Sequence, residues 1–218
     1  MQDLFSVPAS GGDAAEWLAL DMVDADVRYL PWLDWGMPAA ECLTRLTAEV
    51  PWRQDPIEVW GKTYDQPRLS AWFGDAGCAY TYSGLQLSPL PWTPLLLQIK
   101  QRVEAACGHA FNSVLLNHYR NERDSMGAHS DDEPELGPQP TIASVSFGAT
   151  RKLIFSHRSR SDVRNVHVPL ESGSLLLMRG ATQSHWKHAI NKQKTPLAAR
   201  INLTFRVIYP RNATGGRH

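Results

Sequence analysis

Cysteine is scarce in this chain. Cys42, Cys78 and Cys107 are odd in number, far apart and form no CxxC pair. That argues against a disulfide framework and a cysteine-built zinc site, and it fits a reducing compartment. Neither sign of charge is in excess: 22 Lys and Arg balance 22 Asp and Glu, so no global field announces a nucleic-acid partner. No apolar stretch is long enough to span a bilayer. The opening Met1-Gln2-Asp3-Leu4-Phe5 lacks a basic region followed by an apolar run, so no secretory signal is expected. The expected compartment is the cytoplasm, or the nucleus in a eukaryote. Internal repeats and low-complexity tracts are also missing, and 218 residues suit one domain with or without an extension.

What is present changes in character along the chain. Residues 1–25 are small, acidic and mixed, and read as an N-terminal extension. Val27 to Trp35 is aromatic-rich and reads as packing on the core. Met37-Pro38 opens a helix, in which Ala39, Cys42, Leu43, Leu46 and Val50 recur at helical spacing until Pro51 stops it. Trp52 to Leu90 is rich in aromatics, glycine and proline, which predicts short strands and turns. A second helix has Thr93 as its cap, Pro94 at its first position, a stripe of Leu96, Ile99, Val103 and Ala106, and Gly108 at its end. From Phe111 onward short β-branched runs follow one another: Ser113–Tyr119, Thr141–Phe147, Lys152–Ser156, Asn165–Val168, Ser174–Met178 and Arg200–Ile208. The expected class is α+β but mainly β, a sandwich or jelly-roll core over residues 111–210 with the N-terminal helices buttressing one sheet.

The stretch with chemistry is Gly127-Ala128-His129-Ser130-Asp131. On extended backbone His129 and Asp131 point the same way, so both can reach one metal ion. Two histidines and one carboxylate are the facial ligand set of non-haem Fe(II), and His188 in Ser184-His185-Trp186-Lys187-His188 is the candidate third ligand, with His185 competing. An HxD triplet alone is weak. In the run Ala199 to Val207, apolar Ile201, Leu203, Phe205 and Val207 alternate with Arg200, Asn202, Thr204 and Arg206. Two arginines on one strand face need partners if buried. A dicarboxylate suits them, because guanidinium grips carboxylate in a planar fork; an ion-paired outer strand is the alternative. Metal triad and arginine strand together suggest an iron enzyme that uses 2-oxoglutarate.

Other residues carry two readings each. Asn117 and Tyr119 share a strand face, either as a polar edge pair or as donors to the co-substrate. Trp60, at the turn Val59-Trp60-Gly61-Lys62, is either core or an exposed stacking residue. Tyr80 and Tyr82 are an internal aromatic cluster or a wall that stacks on a base. Arg151, Lys152, His157, Arg158, Arg160 and Arg164 cluster around a single acid, Asp162; a solvated basic loop is the simpler explanation.

Taken in order, these blocks resemble the AlkB family of Fe(II)/2-oxoglutarate nucleic-acid dioxygenases, and most of all its branch acting on double-stranded DNA. The likeness runs from about Val59 to Tyr209 through Val59-Trp60-Gly61-Lys62, Phe73-Gly74-Asp75-Ala76-Gly77, Tyr80-Thr81-Tyr82-Ser83-Gly84, Asn117-His118-Tyr119, His129-Ser130-Asp131-Asp132-Glu133, Ile142 to Gly148, His185-Trp186-Lys187-His188 and Arg200 to Arg206. The resemblance implies a double-stranded β-helix, iron on His129, Asp131 and His188, and His185 as a neighbour. It implies 2-oxoglutarate held by Asn117, Tyr119, Arg200, Asn202, Thr204 and Arg206, with O2 as co-substrate. It makes residues 26–110 the helices and nucleotide-recognition region of one catalytic domain. Tyr82 falls where an aromatic stacks on the flipped base opposite His129, and Tyr80, Ser83 and Glu133 fall where the family lines the base pocket. Trp60 falls where a residue fills the gap left in the duplex. Backbone grip is expected from Arg158, Arg160 and Arg164. The branch carries phenylalanine where Trp60 and Tyr82 stand here, and its basic loop is longer than Ser156 to Asn165. The implied function is oxidative demethylation of 1-methyladenine and 3-methylcytosine in DNA by a monomer, on duplex with single strands or RNA as alternatives. The competing readings are the same iron chemistry on RNA, a protein side chain or a small molecule, and a metal-free nucleic-acid-binding module.

Overall fold

The structure is a computed structural model that describes residues 16–59, 62–78, 80–82 and 85–209, with 57–59, 62, 80–82 and 85–87 described by backbone only. In chain order it contains β1 (Leu18–Ala19), β2 (Asp26–Leu30), α1 (Ala39–Glu49), β3 (Pro56–Val59), β4 (Lys62–Asp65), β5 (Leu69–Gly74), β6 (Tyr80–Tyr82), β7 (Leu85–Leu87) and α2 (Pro94–Cys107). Then come β8 (Ser113–Tyr119), β9 (Met126–His129), β10 (Ile142–Gly148), β11 (Arg151–His157), β12 (Val166–Leu170), β13 (Ser174–Arg179), the one-turn α3 (Thr182–His185), β14 (Trp186–Ile190) and β15 (Arg200–Arg206).

Among the described residues, one sheet orders its strands β1-β2-β13-β10-β15-β8-β5 and a second orders them β12-β11-β14-β9, every pair antiparallel. Sequence-distant strands lie side by side, which is the jelly-roll pattern of two facing sheets. Strand alternation gives the large sheet two working faces. Val114, Leu116, Ala143, Val145, Phe147, Leu175, Leu177, Ile201, Leu203 and Phe205 cluster with Cys42 and Leu46 of α1 and with Leu95, Leu96, Ile99 and Val103 of α2. The helices therefore seal this face. On the other face Ile142, Leu176 and Met178 meet Leu153, Phe155, Val168, Leu170, Trp186 and Ile190 of the small sheet. The polar alternate positions of β15 lie in the same interior, between the sheets.

Local sequence accounts for the helix ends. Thr93 accepts a hydrogen bond from the Leu96 amide (3.2 Å), Pro94 opens α2, and Gly108 closes it at φ +61°. Pro38 occupies the cap of α1 rather than its first turn, and its carbonyl accepts from Glu41 and Cys42. Four strands depart from the sequence expectation, one of them β2, in the stretch read only as aromatic packing. Leu18–Ala19, inside the stretch read as an extension, pairs with Tyr29 and Arg28 of β2 and so covers part of its outer side with a very short edge strand. Short β9 and β14 were not foreseen as strands; both are held by cross-strand pairing rather than by residue propensity.

Gly148 ends β10 opposite Arg200 at φ +98°, and a Cβ there would run into the Ala199 carbonyl. Gly148→Ala is expected to cost more than about 1–2 kcal/mol, combining the left-handed backbone with the collision. Thermal unfolding would show it as a clear fall in melting temperature.

Candidate active site

The site forms where β9 and β14 pair. Their register sets His188 directly opposite His129, and the imidazole centroids lie 4.3 Å apart. Asp131 follows two residues beyond His129, with Oδ1 3.5 Å from His129 Nε2. One donor atom from each of His129, Asp131 and His188 falls within 4.8 Å of the others. Their chemistry suits a divalent cation. His129 Nδ1 lies 2.9 Å from the Gly127 carbonyl, which can only accept, so Nδ1 carries a proton; Nε2 turns toward Asp131, and a metal ion there would take the place of any Nε2 proton. Burial pushes His188 down to about 4, so its ring is neutral near pH 7. Burial alone would raise Asp131, but Arg206, with Nη2 2.8 Å from Oδ2, and the two histidines hold it well below the usual carboxylate range. Burial would lower His129; the hydrogen bond and charge of Asp131 outweigh it and leave a net rise. Two imidazoles, that of His188 neutral, and one ionised carboxylate are the donor set of a facial Fe(II) site.

The same cavity is lined by Asn117, Tyr119, Arg200, Asn202, Thr204 and Arg206. Cross-strand register explains the convergence: Arg200 faces Tyr119, Asn202 faces Asn117, and Ser144 and Ser146 of β10 flank the opposite side. Arg200 is 1% exposed. Its Nη2 donates to Ser146 Oγ (2.9 Å), while Nε and Nη1 have no hydrogen-bond partner among the described residues. Burial lowers it to about 10, which still leaves it cationic near pH 7. A buried guanidinium with two open donors is expensive unless a carboxylate completes it, so this end of the cavity fits a dicarboxylate. Asn202 donates to Ser144 Oγ (2.8 Å) and the Val145 carbonyl (2.9 Å) and accepts from Thr204 Oγ1 (3.1 Å). Those two residues line the cavity with their polar groups already engaged.

Trp60 and Ser83 lie outside the described residues, as do the side chains of Tyr80 and Tyr82, whose backbone forms β6. Glu133 is exposed just past Asp131; partial desolvation and then Asp131 raise its carboxyl. Arg158 donates to Asp132 (2.7 Å) and to the Gln183 carbonyl (3.2 Å), and Arg160 pairs with Asp162 (2.7 Å). Arg164 is exposed. These four lie outside the cavity lining.

A second group, Asp24, His157 and His185, also has donor atoms within 4.8 Å. Here His157 Nδ1 accepts from the amides of Ser159 (3.3 Å) and Arg160 (3.1 Å), so the ring proton sits on Nε2, which faces Asp24 Oδ2 at 3.6 Å. That nitrogen has no lone pair to give in this tautomer, so the arrangement does not suit a metal ion, and at 3.6 Å the Asp24 contact is longer than a hydrogen bond. His185 belongs to this group, and His188 to the cavity.

Several site residues escaped the sequence reading. Gln183, 2% exposed, accepts the Asp131 amide proton at 2.9 Å. Ser144 and Ser146 serve the arginine strand, and Arg68 bonds Asn117. For the serines the signal was present, as the polar alternates in Ile142-Ala143-Ser144-Val145-Ser146-Phe147.

Residues 34–206 match the family model of the 2OG-Fe(II) oxygenase superfamily. The chain is 47% identical over 176 residues to the Alpha-ketoglutarate-dependent dioxygenase alkB homolog 3 of Bos taurus, covering 76% of this chain and 60% of that protein. It is 49% identical over 158 residues to the DNA oxidative demethylase ALKBH2 of Homo sapiens (70% and 60%), and 48% over 160 residues to that of Mus musculus (71% and 67%). The chain thus spans about three fifths of the length of most of these relatives. A solved structure of OsALKBH1 shares the fold, with a TM-score of 0.57 at 18% identity, covering 88% of this chain and 100% of that one. With a family model over most of its length and relatives near half identity, the chain belongs to the AlkB family of the 2OG-Fe(II) oxygenase superfamily.

Proposed function

We propose that this protein is an Fe(II)/2-oxoglutarate-dependent DNA oxidative demethylase that restores 1-methyladenine and 3-methylcytosine. The observation that carries this reading is the single cavity in which His129, Asp131 and His188 gather beside the under-satisfied guanidinium of Arg200. The printed names of the relatives, an alpha-ketoglutarate-dependent dioxygenase and a DNA oxidative demethylase, support it.

In this reading His129, Asp131 and His188 hold the iron. Arg200 grips the distal carboxylate of 2-oxoglutarate, and Arg206 takes the keto-acid end while steadying Asp131. Asn117, Tyr119, Asn202 and Thr204 complete the co-substrate wall. Bound Fe(II), with O2 and 2-oxoglutarate, supplies the hydroxylation of the N-methyl group that leads to formaldehyde release. The chain's own work is to hold base and co-substrate in register and keep bulk water from the interior between the sheets.

A base inside a duplex cannot reach such a cavity, so it must be flipped out or taken from a single strand; a methylated Watson–Crick edge lowers that cost. Tyr82 stacks on the flipped base opposite His129, Tyr80, Ser83 and Glu133 line its pocket, and Trp60 fills the gap left behind. Arg158, Arg160 and Arg164 grip the backbone, the first two exchanging Asp132 and Asp162 for phosphates, so affinity falls steeply with salt. Residues 26–110 carry the recognition part and also lend β2 and β5 to the large sheet, and 111–210 form the rest of the jelly-roll of one catalytic domain, acting as a monomer. No helix of the described residues is long and apolar enough to cross a membrane.

Mass spectrometry of a 1-methyladenine oligonucleotide incubated with iron, ascorbate and 2-oxoglutarate tests the proposal. Loss of the methyl group is expected on methylated duplex, with single-stranded DNA and RNA run beside it. An unchanged mass on all three would remove the nucleic-acid claim.

A further inference from the structure

Arg68 sits on the turn between β4 and β5, three residues beyond the hairpin of β3 and β4. The turn is fastened on two sides. The Ser125 amide donates to the Pro67 carbonyl (2.8 Å), just before β9 brings in His129. Gln54 Nε2 donates to the Gln66 carbonyl (2.9 Å), and the Gln66 amide to the Asp55 carbonyl (3.1 Å). From this anchored position the half-buried Arg68 reaches 49 residues along the chain and donates from Nε to Asn117 Oδ1 at 2.8 Å.

That bond carries directional information. An arginine Nε–H can only donate, so the atom facing it must be the amide oxygen. Asn117 is 3% exposed, lines the cavity, and stands opposite Asn202 in the sheet. With its oxygen committed to Arg68, its amide nitrogen is the group left for whatever fills the cavity. Without Arg68 the amide could turn over and present an acceptor to an anionic ligand, which repels rather than binds.

We infer that Arg68 is a positioning residue that fixes the Asn117 amide with its N–H groups toward 2-oxoglutarate, so that the turn leading out of the β3–β4 hairpin also sets co-substrate affinity. The inference rests on reading the cavity as the 2-oxoglutarate site. Arg68 acts through Asn117 and not by touching the co-substrate.

The test is a double-mutant cycle on 2-oxoglutarate binding, read by isothermal titration calorimetry of the full chain with Mn(II) and no DNA. Arg68→Met should weaken binding about tenfold, the usual worth of one hydrogen bond involving a charged group. In an Asn117→Ala background the same change should cost less than about twofold, because its target is gone. A direct charge effect or a local loss of structure would give equal losses in both backgrounds, and that result overturns the inference. Melting temperatures accompany each variant, and Arg68→Gln, which keeps a polar side chain at the turn, replaces the methionine variant if it melts early. Unchanged affinity in Arg68→Met, with wild type binding normally, also overturns it. Failure of wild type to bind 2-oxoglutarate would instead remove the cavity reading itself.

Discussion

Asp131→Ala is expected to leave a folded protein with demethylation reduced by more than about 100-fold, since loss of even a residue behind a metal ligand costs 10–100-fold. Asp131 is the only carboxylate of the triad, and its backbone is held independently through Gln183 and β9, so truncation removes a donor without removing the loop's support. Two imidazoles remain, and they bind many metals weakly. Titration with Co(II), followed by absorption, should show the lost affinity without any turnover. Wild-type affinity in the variant would mean that the metal sits elsewhere.

Arg206→Met has the second largest expected effect, and it acts twice. The guanidinium lies 2.8 Å from Asp131 and lines the same cavity as Asn117 and Arg200. Losing a charge-assisted fork should raise the apparent KM for 2-oxoglutarate about 10–100-fold. Breaking a pair whose carboxylate side chain is 3% exposed should also destabilise the fold by on the order of 3 kcal/mol. The pH dependence has a definite sign. Asp131 is held below its unfolded value of about 3.9, so it contributes stability above that pH and loses it as pH falls through the folded value. Removing Arg206 raises the folded value, so the loss begins at higher pH. Acid unfolding followed by circular dichroism should show the midpoint displaced upward; a downward shift would contradict the assignment.

Local rules made α2 readable residue by residue, because Thr93, Pro94 and Gly108 act within a few positions of one another. Strand β15 was readable for the same reason: its alternation separates Ile201, Leu203 and Phe205 from Arg200, Asn202 and Thr204 without reference to any neighbour. What alternation could not say is that both faces are covered, one by helices and one by a second sheet. Which of His185 and His188 lies beside His129 was likewise closed to local reasoning; the β9–β14 register sets His188 there. Met-Gly-Ala-His, the whole of β9, has no β-branched residue to mark it as a strand. Gln183 and Arg68 were invisible because their bonds span 52 and 49 positions, and a glutamine or arginine reads as surface until its partner is known. Local rules left Trp60, Tyr80 and Tyr82 with two readings each; only the family resemblance favoured the stacking one, and it alone offered a role for Ser83.

The central claim is that one cavity between the sheets holds both metal and co-substrate. Anomalous diffraction from crystals grown with Mn(II) and 2-oxoglutarate measures this directly. The account predicts one manganese bound by His129, Asp131 and His188, with the far carboxylate of 2-oxoglutarate on Arg200. Manganese on Asp24, His157 and His185, or 2-oxoglutarate bound away from Arg200, would contradict it.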